Sequence, residues 1–286
     1  MGGSQSVERV ARFLDASGRP RLARVHGQGR PGAPLDRVEL EPVQGDIFGR
    51  LVTEGLPRLA ASSVTLLPPV LPSKVVGIGS NYRAHALELG RPLPPVPKIF
   101  LKPSTAVIGH RASIPLPPGT ERVDHEAELA LVIGRVLSRV SVDEALAGVV
   151  GITCLDDVTA RDIQRADGVF ARAKGFDGFC PLGPWISRGL DPRDLAVRCR
   201  VRDRDGAWHL RQDGRSSDMV FGPAELVSFV SSVMTLLPGD VIATGTPAGV
   251  GPLEAGEVVE VEVEGVGFLE NPVIHRADRV ASPARA

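Results

Sequence analysis

Val123-Asp124-His125-Glu126-Ala127-Glu128-Leu129-Ala130-Leu131-Val132-Ile133-Gly134 reads as a buried strand carrying two carboxylates on one face. Side chains alternate across a strand, so Glu126 and Glu128 point the same way as Ala130 and Val132, while Leu129, Leu131 and Ile133 fill the opposite face. Apolar residues on both faces indicate burial. An ionised carboxylate is costly to bury unpaired, and two side by side repel, so a positive group is expected between them. A divalent metal ion answers that need. The other reading is a pair near a strand end that reaches water or arginine. Spacing does not choose between them: Glu260, Glu262 and Glu264 repeat the interval in a valine-alternating run, Glu257 to Glu264, whose charged face is expected to be wet and half-exposed.

Outward from this stretch, composition narrows the class. A chain of 286 residues, 43% hydrophobic, can bury a substantial core. A formal net charge of -1, with acids and bases interspersed, gives no field that favours nucleic acid or an anionic membrane, so the expected partner is a small molecule. Cys154, Cys180 and Cys199 lack CxxC spacing and no signal peptide precedes them, which points to a reducing, cytoplasmic compartment. Cys154 lies in an apolar strand and reads as core rather than as a nucleophile. The longest apolar stretch, Leu226 to Leu237, is too short and serine-broken to span a membrane. Lys74, Lys98, Lys102 and Lys174 are the lysines among 33 basic residues, a weak pointer to places that need a compact ammonium.

Residues 1–68 read as a small β-rich N-terminal domain that begins with a hairpin turning at Asp15 to Gly18. Leu67 to Pro72 is a proline-rich linker, and residues 69–286 form the larger domain. There, Lys74 to Gly79 is a strand ending in the GxG of Gly77 and Gly79, and Tyr82 leaves the dinucleotide fingerprint uncompleted, which disfavours a Rossmann fold. Asn81 to Gly90 is a short helix placing His85 and Glu88 three apart, where a carboxylate can orient an imidazole; an exposed surface pair is the alternative. Ser141 to Glu144 is a helix capping box. Gly151 to Leu155 is an apolar strand delivering Asp156 and Asp157 to a polar helix, Thr159 to Gln164, where they either cap the helix or supply a third ligand. Pro223 to Met234 reads as an amphipathic helix, and Pro238 to Gly251 as a strand opening into a hydroxyl- and glycine-rich loop.

In order, these pieces include N-Y-x-x-H-x-x-E at Asn81 to Glu88, E-x-E at Glu126 to Glu128, D-x-T-A-R-D-x-Q at Asp157 to Gln164, Lys174-Gly175, and T-G-T-P-x-G-x-G at Thr244 to Gly251. From about Leu71 to Pro272 the chain resembles the fumarylacetoacetate hydrolase family. The resemblance implies an α+β, mostly β fold: a mixed β-roll or sandwich catalytic domain with short helices, usually homodimeric. It implies that Glu126, Glu128 and Asp157, rather than Asp156, bind Mg²⁺ or Mn²⁺. It also implies that His85, Glu88 and Lys174 are catalytic and that Tyr82, Arg161, Gln164 and Thr246 bind substrate, with Thr246 on the substrate carboxylate. Family substrates are 2-oxo acids handled through a metal-bound enolate. The expected reaction is hydrolytic C–C cleavage of an acylpyruvate-like 2,4-dioxo acid. The alternatives are isomerisation of a hydroxymuconate-type dienoate, oxaloacetate decarboxylation, or metal-dependent ligand binding without catalysis. The substrate's far end is expected to meet the loop from Arg91 to Pro97.

Overall fold

The computed structural model describes residues 7–27, 35–88, 90 and 92–276. Its centre is the strand Ala127–Ile133, every residue of which is buried. Leu129, Leu131 and Ile133 enter one apolar cluster, while Ala130 and Val132 enter another on the opposite face. Full burial of each large aliphatic side chain contributes about 1.5–3 kcal/mol. Strand Val149–Asp156 flanks it antiparallel on one edge and Val241–Ala243 on the other.

Among the described residues this strand belongs to a 13-stranded sheet with a main path of Leu51–Thr53, Glu39–Gly45, Pro20–His26, Glu8–Leu14, Cys180–Arg188, Val149–Asp156, Ala127–Ile133, Val241–Ala243, Val75–Gly79 and Lys98–Lys102. A 5-stranded sheet and a 3-stranded sheet complete the β structure. The helices are short, and Pro223–Val233 has 11 residues, with proline in its first turn as its sequence suggests. The fold is thus mostly β with short helices, as expected. No described helix is long and apolar enough to cross a membrane.

The N-terminal hairpin forms, with Val10 opposite Arg24 and Leu14 opposite Pro20. Its first strand also pairs with Cys180–Arg188, so the backbone ladder runs across the sequence boundary drawn at residue 68. The polar helix begins at Arg161; Thr159–Ala160 instead pairs with Val123 and Asp124.

The glutamate run departs from expectation at Glu260, whereas Glu262 is half-buried and Glu264 exposed, as expected. Strand Val258–Val263 is mostly buried, and Glu260 is 1% exposed. Glu260 pairs with Arg200 of the neighbouring strand, whose guanidinium lies 5.0 Å from the Trp208 ring centre. Cross-strand arginine, not water, meets that charge.

His110 is 5% exposed, and its Nδ1 accepts the Glu270 N–H at 3.1 Å. Burial, with Arg111 nearby, pushes its pKa down to about 3. The unfolded chain binds this proton near the ordinary imidazole value of about 6.5, so more protons are bound unfolded than folded below that pH. The stability from neutral His110 is therefore full above pH ~6.5 and is lost as pH falls toward 3. In thermal melts from pH 7 to pH 4, His110→Gln is expected to show a shallower fall in Tm than the parent chain; parallel curves would refute this role.

Candidate active site

Glu126, Glu128 and Asp157 converge where the sheet's central strand meets the end of its neighbour. All are buried, and they offer ligand oxygens within 4.8 Å of one another. Glu126 lies in the break between strands Val123–His125 and Ala127–Ile133, and Asp157 directly follows strand Val149–Asp156. The backbone locks them together: Asp157 N–H donates to Glu126 O at 2.9 Å, and Glu126 N–H donates to Asp156 Oδ1 at 2.8 Å. Asp156 thus holds the backbone, and burial lifts its pKa to about 7 despite that hydrogen bond.

Cations meet two of the three carboxylates. Lys174 Nζ donates to Glu126 Oε2 at 2.9 Å and to Asp157 Oδ2. Lys102 Nζ, 1% exposed as a residue, donates to Asp157 Oδ1 at 2.5 Å. Arg161 Nη2 donates to Glu126 Oε1 at 2.5 Å, and its Nε donates to Asp124 Oδ2 at 2.8 Å. Asp124 also takes Arg122, and is 1% exposed. For Glu126, burial favours the neutral form, but Lys174 and Arg161 outweigh it and hold the carboxyl below its usual range. Burial likewise opposes the Lys174 charge, but Asp157 and Glu126 raise its pKa.

Glu128 differs. It accepts the Gly245 N–H at 2.7 Å, and among the described residues no lysine or arginine forms an ion pair with it. Burial raises its pKa well above the usual value, and the Asp157 and Glu126 charges add to this. An all-oxygen donor set with one uncompensated carboxylate suits a hard divalent cation such as Mg²⁺ or Mn²⁺.

The donor loop is built for close contact. Gly245 has φ +96°, and a Cβ there would lie 2.8 Å from the Asn81 Cβ. Asn81 holds the same loop, donating from Nδ2 to Thr244 O at 2.7 Å.

A cleft beside the triad is lined by Ser80, His85, Glu126, Arg161, Gln164, Lys174 and Thr246, with Ile78, Gly79, Phe100 and Phe170 as its apolar wall. His85 Nδ1 lies 3.0 Å from Glu88 Oε2, and Glu88 also accepts the Gly249 N–H. Arg161 Nη1 donates to Gln164 Oε1 at 3.1 Å. Tyr82 is 1% exposed and does not line the cleft; its hydroxyl has no partner among the described residues. Thr246 lines the cleft, but its hydroxyl donates to Ala127 O and accepts from Gln212 Nε2. It retains only a lone pair for a ligand. Arg91 of the expected tail-binding loop lies outside the described residues, whereas Leu93 and Val96 are exposed.

Sequence reading passed over Lys102, Asp124 and Gln212 as site residues. Lysine scarcity pointed toward Lys102, and Asp124 stands two positions before Glu126. Nothing in the pattern distinguished Gln212.

The absence of an ion-pair partner for Glu128 among the described residues makes a measurable difference. Without added metal, Glu128→Gln is expected to stabilise the chain at neutral pH by on the order of 1 kcal/mol, because glutamine is neutral folded and unfolded and so avoids the cost of neutralising a buried carboxylate on folding, while keeping an acceptor for Gly245. Manganese affinity should fall at least tenfold. Thermal melts and Mn²⁺ calorimetry read the two effects, and unchanged Mn²⁺ affinity would exclude Glu128 as a ligand.

The family model described as fumarylacetoacetate (FAA) hydrolase C-terminal matches residues 74–274. A mitochondrial oxaloacetate tautomerase of Bos taurus is 38% identical over 285 residues, covering 89% of this chain and 89% of that protein. The structure is similar to 2-hydroxyhepta-2,4-diene-1,7-dioate isomerase from Mycobacterium marinum, with TM-score 0.84 and 40% identity, covering 95% of this chain and 100% of the other. Maleylpyruvate hydrolase from Sphingobium sp. SYK-6, in complex with manganese(II) and pyruvate, is similar with TM-score 0.74 and 30% identity, covering 94% and 100%. The chain belongs to the fumarylacetoacetate hydrolase family.

Proposed function

We propose that this chain is a divalent-metal-dependent enzyme acting on small 2-oxo acids through an enolate, and that it hydrolyses an acylpyruvate-like 2,4-dioxo acid. The observation that carries the reading is the His85 ring, backed by Glu88, in one cleft with Glu126, Lys174 and Arg161. Glu126, Glu128 and Asp157 would hold Mg²⁺ or Mn²⁺, which supplies Lewis acidity toward a 2-oxo oxygen when bound. The manganese and pyruvate in the similar maleylpyruvate hydrolase structure support this assignment. In the same reading the protein is cytoplasmic and homodimeric.

Lys174 and Arg161 supply positive charge for the substrate carboxylate, and Gln164 is held beside them. Thr246, its proton committed to Ala127 O, gives up the carboxylate-binding role expected for it. Phe100 and Phe170, edge to face at 5.2 Å, line the same cleft, with Lys174 Nζ 4.8 Å from the Phe100 ring centre. With Nδ1 on Glu88, the other ring nitrogen of His85 has no hydrogen-bond partner among the described residues and can take a proton from water. The water oxygen adds to the distal carbonyl, and the bond from that carbon to C3 breaks. Its electron pair enters the pyruvate enolate, the proton returns to C3, and a carboxylic acid leaves.

Isomerisation is the second reading. The bovine tautomerase matches 89% of both chains, and the Mycobacterium marinum isomerase is 40% identical. The same histidine would shuttle a proton between carbon and oxygen without C–C cleavage.

Acetylpyruvate with Mn²⁺ is expected to lose its diketone absorbance as pyruvate and acetate form. No consumption of any acylpyruvate, with accelerated keto–enol exchange of oxaloacetate, would replace hydrolysis by isomerisation; pyruvate and CO₂ from oxaloacetate would indicate decarboxylation. His85→Ala should lower turnover about 10²–10⁴-fold while leaving Mn²⁺ affinity unchanged. Turnover equal to the parent's would remove the dyad from the reaction.

A further inference from the structure

Strand Trp208–Arg215 forms one edge of the 5-stranded sheet, and His209, Leu210, Arg211 and Asp213 on it are exposed. Gln212 is 1% exposed in their midst. Its Nε2 donates to Thr246 Oγ1 and to Pro247 O, each at 2.7 Å. Its Oε1 lies 3.0 Å from both Ala127 N and His125 Nδ1. Pro247 O can only accept, which fixes the amide orientation; Oε1 then accepts from Ala127 N–H and from a protonated His125 Nδ1. Gln212 is therefore fully satisfied by groups of the proposed metal strand and its donor loop.

The location of these bonds gives them meaning. Strand Val241–Ala243 pairs with Ala130–Val132, and the chain then turns away through Gly245. Ala127, between Glu126 and Glu128, lies beyond that last backbone pair. Its N–H is taken by Gln212 Oε1 and its C=O by Thr246 Oγ1, at 3.0 and 2.8 Å, and the two side chains are bonded to each other. The approach is close: a Cβ on Gly249 would lie 2.1 Å from Arg211 O.

We infer that Gln212 is a positioning residue of the metal centre, its side chain completing the backbone hydrogen bonding of Ala127 in place of a strand. This rests on the metal-dependent reading above. By holding Ala127, the amide sets the directions in which Glu126 and Glu128 project. By holding Thr246 and Pro247, it anchors the loop whose Gly245 N–H reaches Glu128 and whose Gly249 N–H reaches Glu88.

Calorimetric titration of the metal-free chain with Mn²⁺ tests the inference. Gln212→Met, close in volume but without the amide, is expected to bind Mn²⁺ about 10–100-fold more weakly than the parent, as loss of outer-shell support does elsewhere. A glutamine that serves only stability would lower Tm and leave affinity alone. If the parent chain binds no Mn²⁺, the metal reading itself fails. If the parent binds and folded Gln212→Met binds within twofold of it, the positioning role alone is overturned. Should Gln212→Met not fold, Thr246→Val breaks the other half of the clamp with a near-isosteric side chain: a loss of threefold or more in Mn²⁺ affinity supports the clamp, and a smaller change overturns it.

Discussion

Everything around the central strand answers one electrostatic demand: Glu126, Glu128 and Asp157 are buried together, with ligand oxygens within 4.8 Å of one another. Carboxylates in such a place must be paired, protonated or bound to a cation. Lys174 bridges two of them, Lys102 braces Asp157, and Arg161 joins Glu126 to Asp124. The third carboxylate receives a backbone N–H instead of a cation. That imbalance sets the centre apart from a structural ion-pair network.

The same demand explains the irregular backbone nearby. Past Ala243 the chain leaves the ladder and turns through Gly245, which aims its N–H at Glu128. Side chains then take over the backbone's hydrogen bonds: Asn81 secures Thr244, Thr246 caps Ala127 O, and Gln212 joins both halves. Glu88 links the loop to His85, so the dyad and the carboxylate centre share one support. Under the proposed function such a site would stabilise an enolate without dictating how it arises, which accords with the hydrolase, the isomerase and the tautomerase to which the chain is similar.

Glu260 shows the limit of the spacing argument from the opposite side. It is as buried as Glu128, but Arg200 reaches it from the adjacent strand and stacks on Trp208. Two glutamates with the same sequence context of alternating apolar residues therefore differ in what faces them, which is a property of the neighbouring strand.

The sequence by itself determined the central strand, because apolar residues on both sides of Glu126 and Glu128 allow burial and alternation gives the face. It also determined the His85–Glu88 pair, since three residues along a helix bring the side chains together whatever the rest of the fold does. The family resemblance carried by the ordered motifs implied that Asp157, Arg161, Gln164 and Lys174 belong to the same centre. Only the tertiary structure decided which charges are compensated. Lys102 and Asp157, Arg161 and Asp124, and Gln212 and Ala127 are separated by 55, 37 and 85 residues. Their meeting depends on strand order and register, and periodicity within one segment carries no information about the partner that a distant strand presents.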